Sequence, residues 1–174
     1  DKAIVARDQR IDALMPEFTK SMEEMDMERG MNLQKQIMQE RVAVRMVQDE
    51  AIEKIATALP APHGADFRMR ALAAGYKEPF QPDPLASFFQ VVDTLTDLTA
   101  QQRAGIAEAR SKWDADLAAL RDRMLQTMRA DEPNKPVRST RSAQARLAAK
   151  QGKPAEAPPP DPMVALRNDK NRMV

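Results

Sequence analysis

The most restrictive feature of the chain is a stripe of apolar residues that recurs every three or four positions over long segments. The clearest stripe follows Leu98 and consists of Ile106, Ala109, Trp113, Leu117, Leu120, Met124 and Met128. Such steps place side chains on one face of an α-helix. Alternating runs of β-branched residues, which mark strands, are nearly absent. The pattern predicts an all-α fold of long antiparallel helices, as a helical hairpin or cradle, with short connecting helices.

Proline and glycine divide the first sixty residues. A helix over residues 1–15 is expected to end or kink at Pro16, because a proline within a helix removes a hydrogen bond and clashes with the preceding turn. One long helix is predicted over residues 17–59, with a bend near Gly30. The alternative is a helical hairpin that turns at Gly30.

Later helix boundaries are marked by capping residues. Asp83–Pro84 and Asp161–Pro162 each pair an N-cap aspartate with a proline in the first helical position. The first pair predicts a short apolar helix to about residue 96. The second predicts a further helix over residues 161–174, which is expected to be truncated at Val174. Gly75 is expected to be the C′ residue of a short helix over residues 66–74.

Residues 131–160 differ in composition from the rest of the chain. They contain six prolines, and no acidic residue lies between Glu132 and Glu156. This predicts a Pro-rich basic linker, with a short helix around residues 142–150 as the only structured part. The predicted organisation is therefore an all-helical domain over 1–130, the linker over 131–160 and the truncated helix over 161–174.

Leu98, Thr99 and Gln102 begin the clearest helix. Thr99 is a good N-cap, and Gln102 lies where its side chain can reach back to the Thr99 N–H, which makes a capping box. Leu98-Thr99-x-x-Gln102, in a small, helical, Met-rich chain, resembles the LTxxQ motif of the Spy/CpxP-like periplasmic proteins. The similarity covers residues 70–129 and includes Gly75-Tyr76, Pro79-Phe80-x-Pro82 and Phe88-Phe89. A second copy of the motif is not found.

The resemblance implies a cradle-shaped dimer in the periplasm or another extracytoplasmic compartment. The function that it implies is ATP-independent, chaperone-like or envelope-stress binding of unfolded or apolar client proteins. One alternative is a scaffold that binds a single dedicated partner protein. A second alternative is metal resistance or metal sensing, for which some relatives are known. A homodimer is also expected, because long helices with few core residues often bury their apolar stripes against a second copy of the chain.

Methionine is unusually frequent, at twelve residues in 174. Five of them lie in the acidic N-terminal part: Met22, Met25, Met27, Met31 and Met38. They could fill a core, form an adaptable client-binding surface, or bind a soft ion such as Cu(I) or Ag(I). A continuous helix would point Met27 away from Met22 and Met25, so no metal ligands are assigned. The client-binding candidates are Phe18, Met22, Met25 and Leu33.

Residue patterns that support catalysis are not found, and no enzymatic activity or cofactor is predicted. The chain has no cysteine, and His63 is its one histidine, in a loop rich in proline and glycine. Neither a phosphate-binding loop nor a nucleophile elbow is present. The basic stretch over 135–153 has no interleaved aromatic residues, so nucleic-acid binding is not expected. No segment approaches the ~20 apolar residues of a membrane span.

Overall fold

A computed structural model describes residues 2–81, 84–154 and 157–173. These residues form helices and turns with no strand, which confirms the predicted all-α fold. The helices are α1 (Lys2–Glu23), α2 (Met27–Ala58), α3 (His63–Gly75), α4 (Pro84–Asp93), α5 (Ala100–Asp131), α6 (Lys135–Lys150) and α7 (Met163–Arg172). The chain divides into two compact units. The first comprises Asp1–Leu72 and Arg129–Asp161, the second Ala73–Met128 and Pro162–Val174, so the boundaries differ from those predicted.

In the first unit, α1 and α2 pack side by side and run in opposite directions. Contacts between Arg10 and Glu40 and between Glu17 and Arg29 join the two helices along their length. The turn between them comprises residues 24–26. The single helix predicted over residues 17–59 is therefore wrong, and so is the alternative position of the turn at Gly30, which lies inside α2.

Small and capping residues explain where the turn lies. The Asp26 carboxylate accepts a hydrogen bond from the Arg29 N–H at 3.0 Å and caps α2. Ser21 is fully buried, and a Cβ on Gly30 would lie 3.3 Å from its Oγ. The two helices can therefore approach closely just beyond the turn. Pro16 lies inside α1, so this helix does not end at residue 15 as expected.

The segment predicted as a linker contains a four-turn helix, α6, which packs on α2. Pro133 lies in a 3-10 turn over Glu132–Asn134, and Pro136 lies in the first turn of α6. Proline is tolerated at these positions because the first N–H groups of a helix have no partner within it. Arg138 forms a two-fold ion pair with Asp131, and both side chains are largely buried.

The second unit has a small core between α5 and α7. Four buried residues form it, namely Leu120, Met124, Met163 and Leu166, with Met128 and Met173 packed against them. Arg167 Nε lies 2.5 Å from the Glu78 carboxylate, and Lys170 donates to the Glu78 carbonyl oxygen at 3.4 Å. These contacts attach α7 to the loop after α3 as well as to α5.

Two predicted caps lie one residue away from the expected position, and a third cannot be compared with the structure. Gly75 is the last residue of α3, rather than a C′ residue beyond it. The helix α7 begins at Met163 with Pro162 at the N-cap position, one residue later than predicted, and the Asp161 carboxylate lies 3.8 Å from Arg138. Asp83 lies outside the described residues, and α4 begins at Pro84. Differences of one or two residues at helix ends are ordinary.

Candidate functional site

The segment before α5 is held in place by the residues of the LTxxQ pattern. The Thr99 N–H donates to Gln102 Oε1 at 2.9 Å, and the Gln102 N–H donates to Thr99 Oγ1 at 3.3 Å. These are the two reciprocal bonds of a capping box. Arg103 folds back over the same segment and donates to the carbonyl oxygens of Leu98 and Thr96 at 3.2 and 3.1 Å. The turn between α4 and α5 is thus held by the capping box at the start of α5 and by the hydrogen bonds from Arg103 to its backbone.

Arg110 joins α4 to α5. Its guanidinium donates to the Phe89 carbonyl oxygen at 3.0 Å and to the Asp93 carboxylate at 2.7 Å. It also lies 4.9 Å from the centre of the Phe89 ring. That ring packs against Trp113 with 5.7 Å between the ring centres. One face of α4 is therefore held against α5 by an aromatic pair and a cation.

A groove of about 470 Å³ lies between the end of α4, the following turn and the first half of α5. Its apolar lining consists of Val92, Leu95, Leu98, Ile106 and Ala107. Its polar lining consists of Asp93, Arg103, Arg110, Ser111 and Asp114. Leu98 is the residue of the LTxxQ pattern that faces this groove. We call this site the α4–α5 groove.

Beside the groove lies an exposed apolar surface that sequence reasoning missed. Phe88 and Val91, three residues apart on α4, are 58% and 62% exposed, and Leu95 in the next turn is 43% exposed. The other apolar face of α4, with Leu85, Phe89 and Val92, is half-buried. The signal was the composition of the segment, since α4 carries more apolar residues than one packed face can cover.

The predicted client-binding residues do not form one surface. Leu33 is only 6% exposed and belongs to the core of the first unit, so it is unavailable to a client protein. Phe18 is half-buried on α1. Met22 and Met25 are 48% and 84% exposed at the turn between α1 and α2. The two methionines are therefore accessible to a client protein. The four residues together do not form the single binding surface that was predicted.

Other candidate chemistry finds little support in the described part of the chain. His63 is exposed at the start of α3. Within residues 2–81, 84–154 and 157–173, no group of three or more histidine and carboxylate side chains could hold a metal ion. In the same residues, no helix combines the length and apolar character needed to cross a bilayer.

Comparison of the chain with protein-family models, with curated proteins and with solved structures gives no match. The site must therefore be interpreted from its own chemistry.

Proposed function

We propose that this protein is a chaperone-like binding protein that holds apolar segments of unfolded proteins in the α4–α5 groove, without catalysis or ATP. The observation that carries the proposal is the exposed apolar surface of Phe88, Val91 and Leu95 beside a groove with an apolar lining. Contiguous exposed apolar surface next to a groove is typical of a site that binds another protein.

The magnitude of the available binding energy favours weak and broad recognition. Each of the three side chains is about half exposed, so covering all three contributes roughly 3 kcal/mol. The cost of association offsets much of any such gain, and a dissociation constant of 1 mM corresponds to about −4 kcal/mol. The groove lining must supply the remainder. Such a surface favours transient binding of many apolar segments over tight binding of one.

The polar groups at the groove are largely engaged within the protein. Arg103 and Arg110 donate to backbone carbonyl oxygens, and Arg110 also pairs with Asp93. These arginines line the groove, but their guanidinium groups are already hydrogen-bonded within the protein and are not free to bind a client carboxylate through two hydrogen bonds. This is a second reason to expect low sequence selectivity. The resemblance of Leu98-Thr99-x-x-Gln102 to the Spy/CpxP-like motif supports the same function and extends the proposal to an extracytoplasmic location.

The test is suppression of light scattering by two unrelated unfolding proteins, without ATP. A variant with Phe88→Gln and Val91→Gln should lose most of the activity, because both side chains are more than half exposed and form the apolar surface beside the groove. The matched control carries Val47→Gln and Ile55→Gln, which removes two exposed apolar side chains from α2. The control should retain full activity.

Two outcomes would contradict the proposal. Absence of suppression of either client by the unaltered protein would remove the chaperone-like function and leave a scaffold for one dedicated partner as the next hypothesis. Equal loss in the groove variant and the α2 variant would show that general surface hydrophobicity, rather than the α4–α5 groove, causes the effect.

A further inference from the structure

The turn between α1 and α2 brings three methionines together. Met22 lies in the last turn of α1, Met25 within the turn and Met27 at the first position of α2. The Met25 N–H donates to the Met22 carbonyl oxygen at 3.3 Å, and the Met27 N–H donates to the Met25 carbonyl oxygen at 3.0 Å. The three residues are therefore joined in series by hydrogen bonds. A continuous helix would have separated Met27 from the other two.

The three methionines are accessible, and the Met22 sulfur lies beside the start of α2. Met22, Met25 and Met27 are 48%, 84% and 36% exposed. Met22 Sδ lies 3.4 Å from the position that a Cβ on Gly30 would take. Gly30 is three residues after Met27 and shares its helix face, so the Met22 sulfur lies over the face on which Met27 begins. The absence of a side chain at residue 30 leaves room for it.

Met25 occupies a backbone conformation that disfavours its residue type. Its φ is 56°, and it is the one non-glycine residue of the described chain with a positive φ. Glycine or asparagine is usual there, because the Cβ atom approaches the following carbonyl oxygen; glycine has no Cβ, and asparagine can form a local hydrogen bond. A strained residue that is also the most exposed of the three methionines is a reason to look for a function of its side chain.

The charge around the turn favours a cation. Residues 22–28 contain four acidic side chains and no basic one. Lys20 and Arg29 lie 3.8 and 4.0 Å from the Glu24 carboxylate and neutralise part of this charge. The Asp26 carboxylate caps α2. Neutral thioethers surrounded by this negative potential suit a monovalent soft cation.

From these observations we infer that Met22, Met25 and Met27 form a binding site for one soft monovalent metal ion, Cu(I) or Ag(I). Thioether ligands select Cu(I) over the hard divalent ions, which prefer oxygen. Methionine side chains have three rotatable bonds, which lets the sulfurs reorient toward one ion. This site is independent of the α4–α5 groove, since it uses other residues and a different chemistry.

The experiment titrates the full chain with silver nitrate in chloride-free buffer and follows the methionine methyl groups by NMR. We expect one Ag(I) per chain and shifts of three methyl signals, those of Met22, Met25 and Met27. Substitution of all three by Leu should weaken binding by more than about tenfold for each ligand lost. A control triple variant with Met15→Leu, Met46→Leu and Met69→Leu, at three other exposed methionines, should bind as the unaltered protein does.

A second variant tests the site without destabilising the turn, in case the triple substitution does so. Met25→Gly relieves the positive φ, so its melting temperature without metal should equal or exceed that of the unaltered chain, while its Ag(I) affinity should fall at least about tenfold.

Three results would overturn the inference. The first is no Ag(I) binding, and the second is equal loss of binding in the control triple variant. The third is Zn(II) binding of the same strength that survives the Met→Leu substitutions, which would identify a carboxylate site. Thioethers carry no proton, so the Ag(I) affinity should be constant between about pH 5 and pH 8.

Discussion

The strictest test of the packing in the first unit is Gly64→Ala. Gly64 is buried in the first turn of α3, close to the end of α2. A Cβ at this position would lie 2.2 Å from the Ala56 carbonyl oxygen and 3.2 Å from its carbonyl carbon. Carbon contacts are optimal at about 3.5 Å, so the two helices must separate by roughly 1 Å to admit the methyl group. The neighbouring atoms belong to the backbone and cannot rotate away.

The expected magnitude follows from two opposing terms. Overpacking of this kind costs about 1–3 kcal/mol, whereas alanine gains at most about 1 kcal/mol over glycine in helix propensity. The net loss should be about 1–2 kcal/mol. For a chain of this size, each kcal/mol shifts the melting temperature by about 2–4 °C. Thermal unfolding followed by circular dichroism should therefore show a decrease of about 3–6 °C.

Gly105→Ala is the matched control, because Gly105 lies inside α5 with no atom within 4 Å of a built Cβ. Only the propensity term applies there, so the variant should gain about 0.5–1 kcal/mol and melt about 2 °C higher. The reasoning predicts opposite signs for the same substitution at two helical glycines. A Gly64→Ala variant as stable as the unaltered protein would refute the close approach of α3 to α2.

Further substitutions test other contacts. Thr99→Ala should cost about 1 kcal/mol through loss of the bond to the Gln102 N–H, whereas Thr99→Ser should be nearly neutral; urea unfolding measures both. Met124→Ala should cost about 2–5 kcal/mol, since Met124 is buried in the core between α5 and α7, and hydrogen exchange in α7 should accelerate. Arg138→Leu should cost about 3 kcal/mol, because it leaves the largely buried Asp131 without its partner, and a smaller loss in urea would show that the pair is effectively solvated.

The helical periodicity was sufficient to predict the fold class and most helix interiors. The stripe of α5 is an example, since Leu117, Leu120 and Met124 are all buried. Boundaries that depend on tertiary contact were not predictable in this way. The turn at residues 24–26 depends on close packing of Ser21 against Gly30. Such a contact between two helices cannot be predicted from the helix propensities of the individual residues. Glycine inside a helix was interpreted as a weak point, whereas at residue 30 it is a contact surface.

Proline gave the opposite error in the segment 131–160. The six prolines and the absence of acidic residues between Glu132 and Glu156 predicted a linker. The effect of a proline depends, however, on its position within the helix. Pro133 and Pro136 lie where a helix has no N–H partner to lose, and α6 continues behind them. Asp131, the first residue of the segment, forms an ion pair with Arg138 and neutralises one of its basic side chains. The segment is rich in proline and basic residues, as its composition shows, but it forms a helix and not the predicted linker.

The same reasoning explains why the two candidate sites needed the structure. A stripe of apolar residues predicts burial, so exposed Phe88 and Val91 could be recognised only once the packed face of α4 was known. Likewise, the three methionines of the turn could be grouped only once the helix was seen to break between Glu23 and Met27. Each site lies in a different compact unit. Substitution of Phe88 and Val91 should therefore leave Ag(I) binding unchanged, and substitution of the methionines should leave suppression of light scattering unchanged. Loss of both activities in either variant would mean that one surface performs both functions.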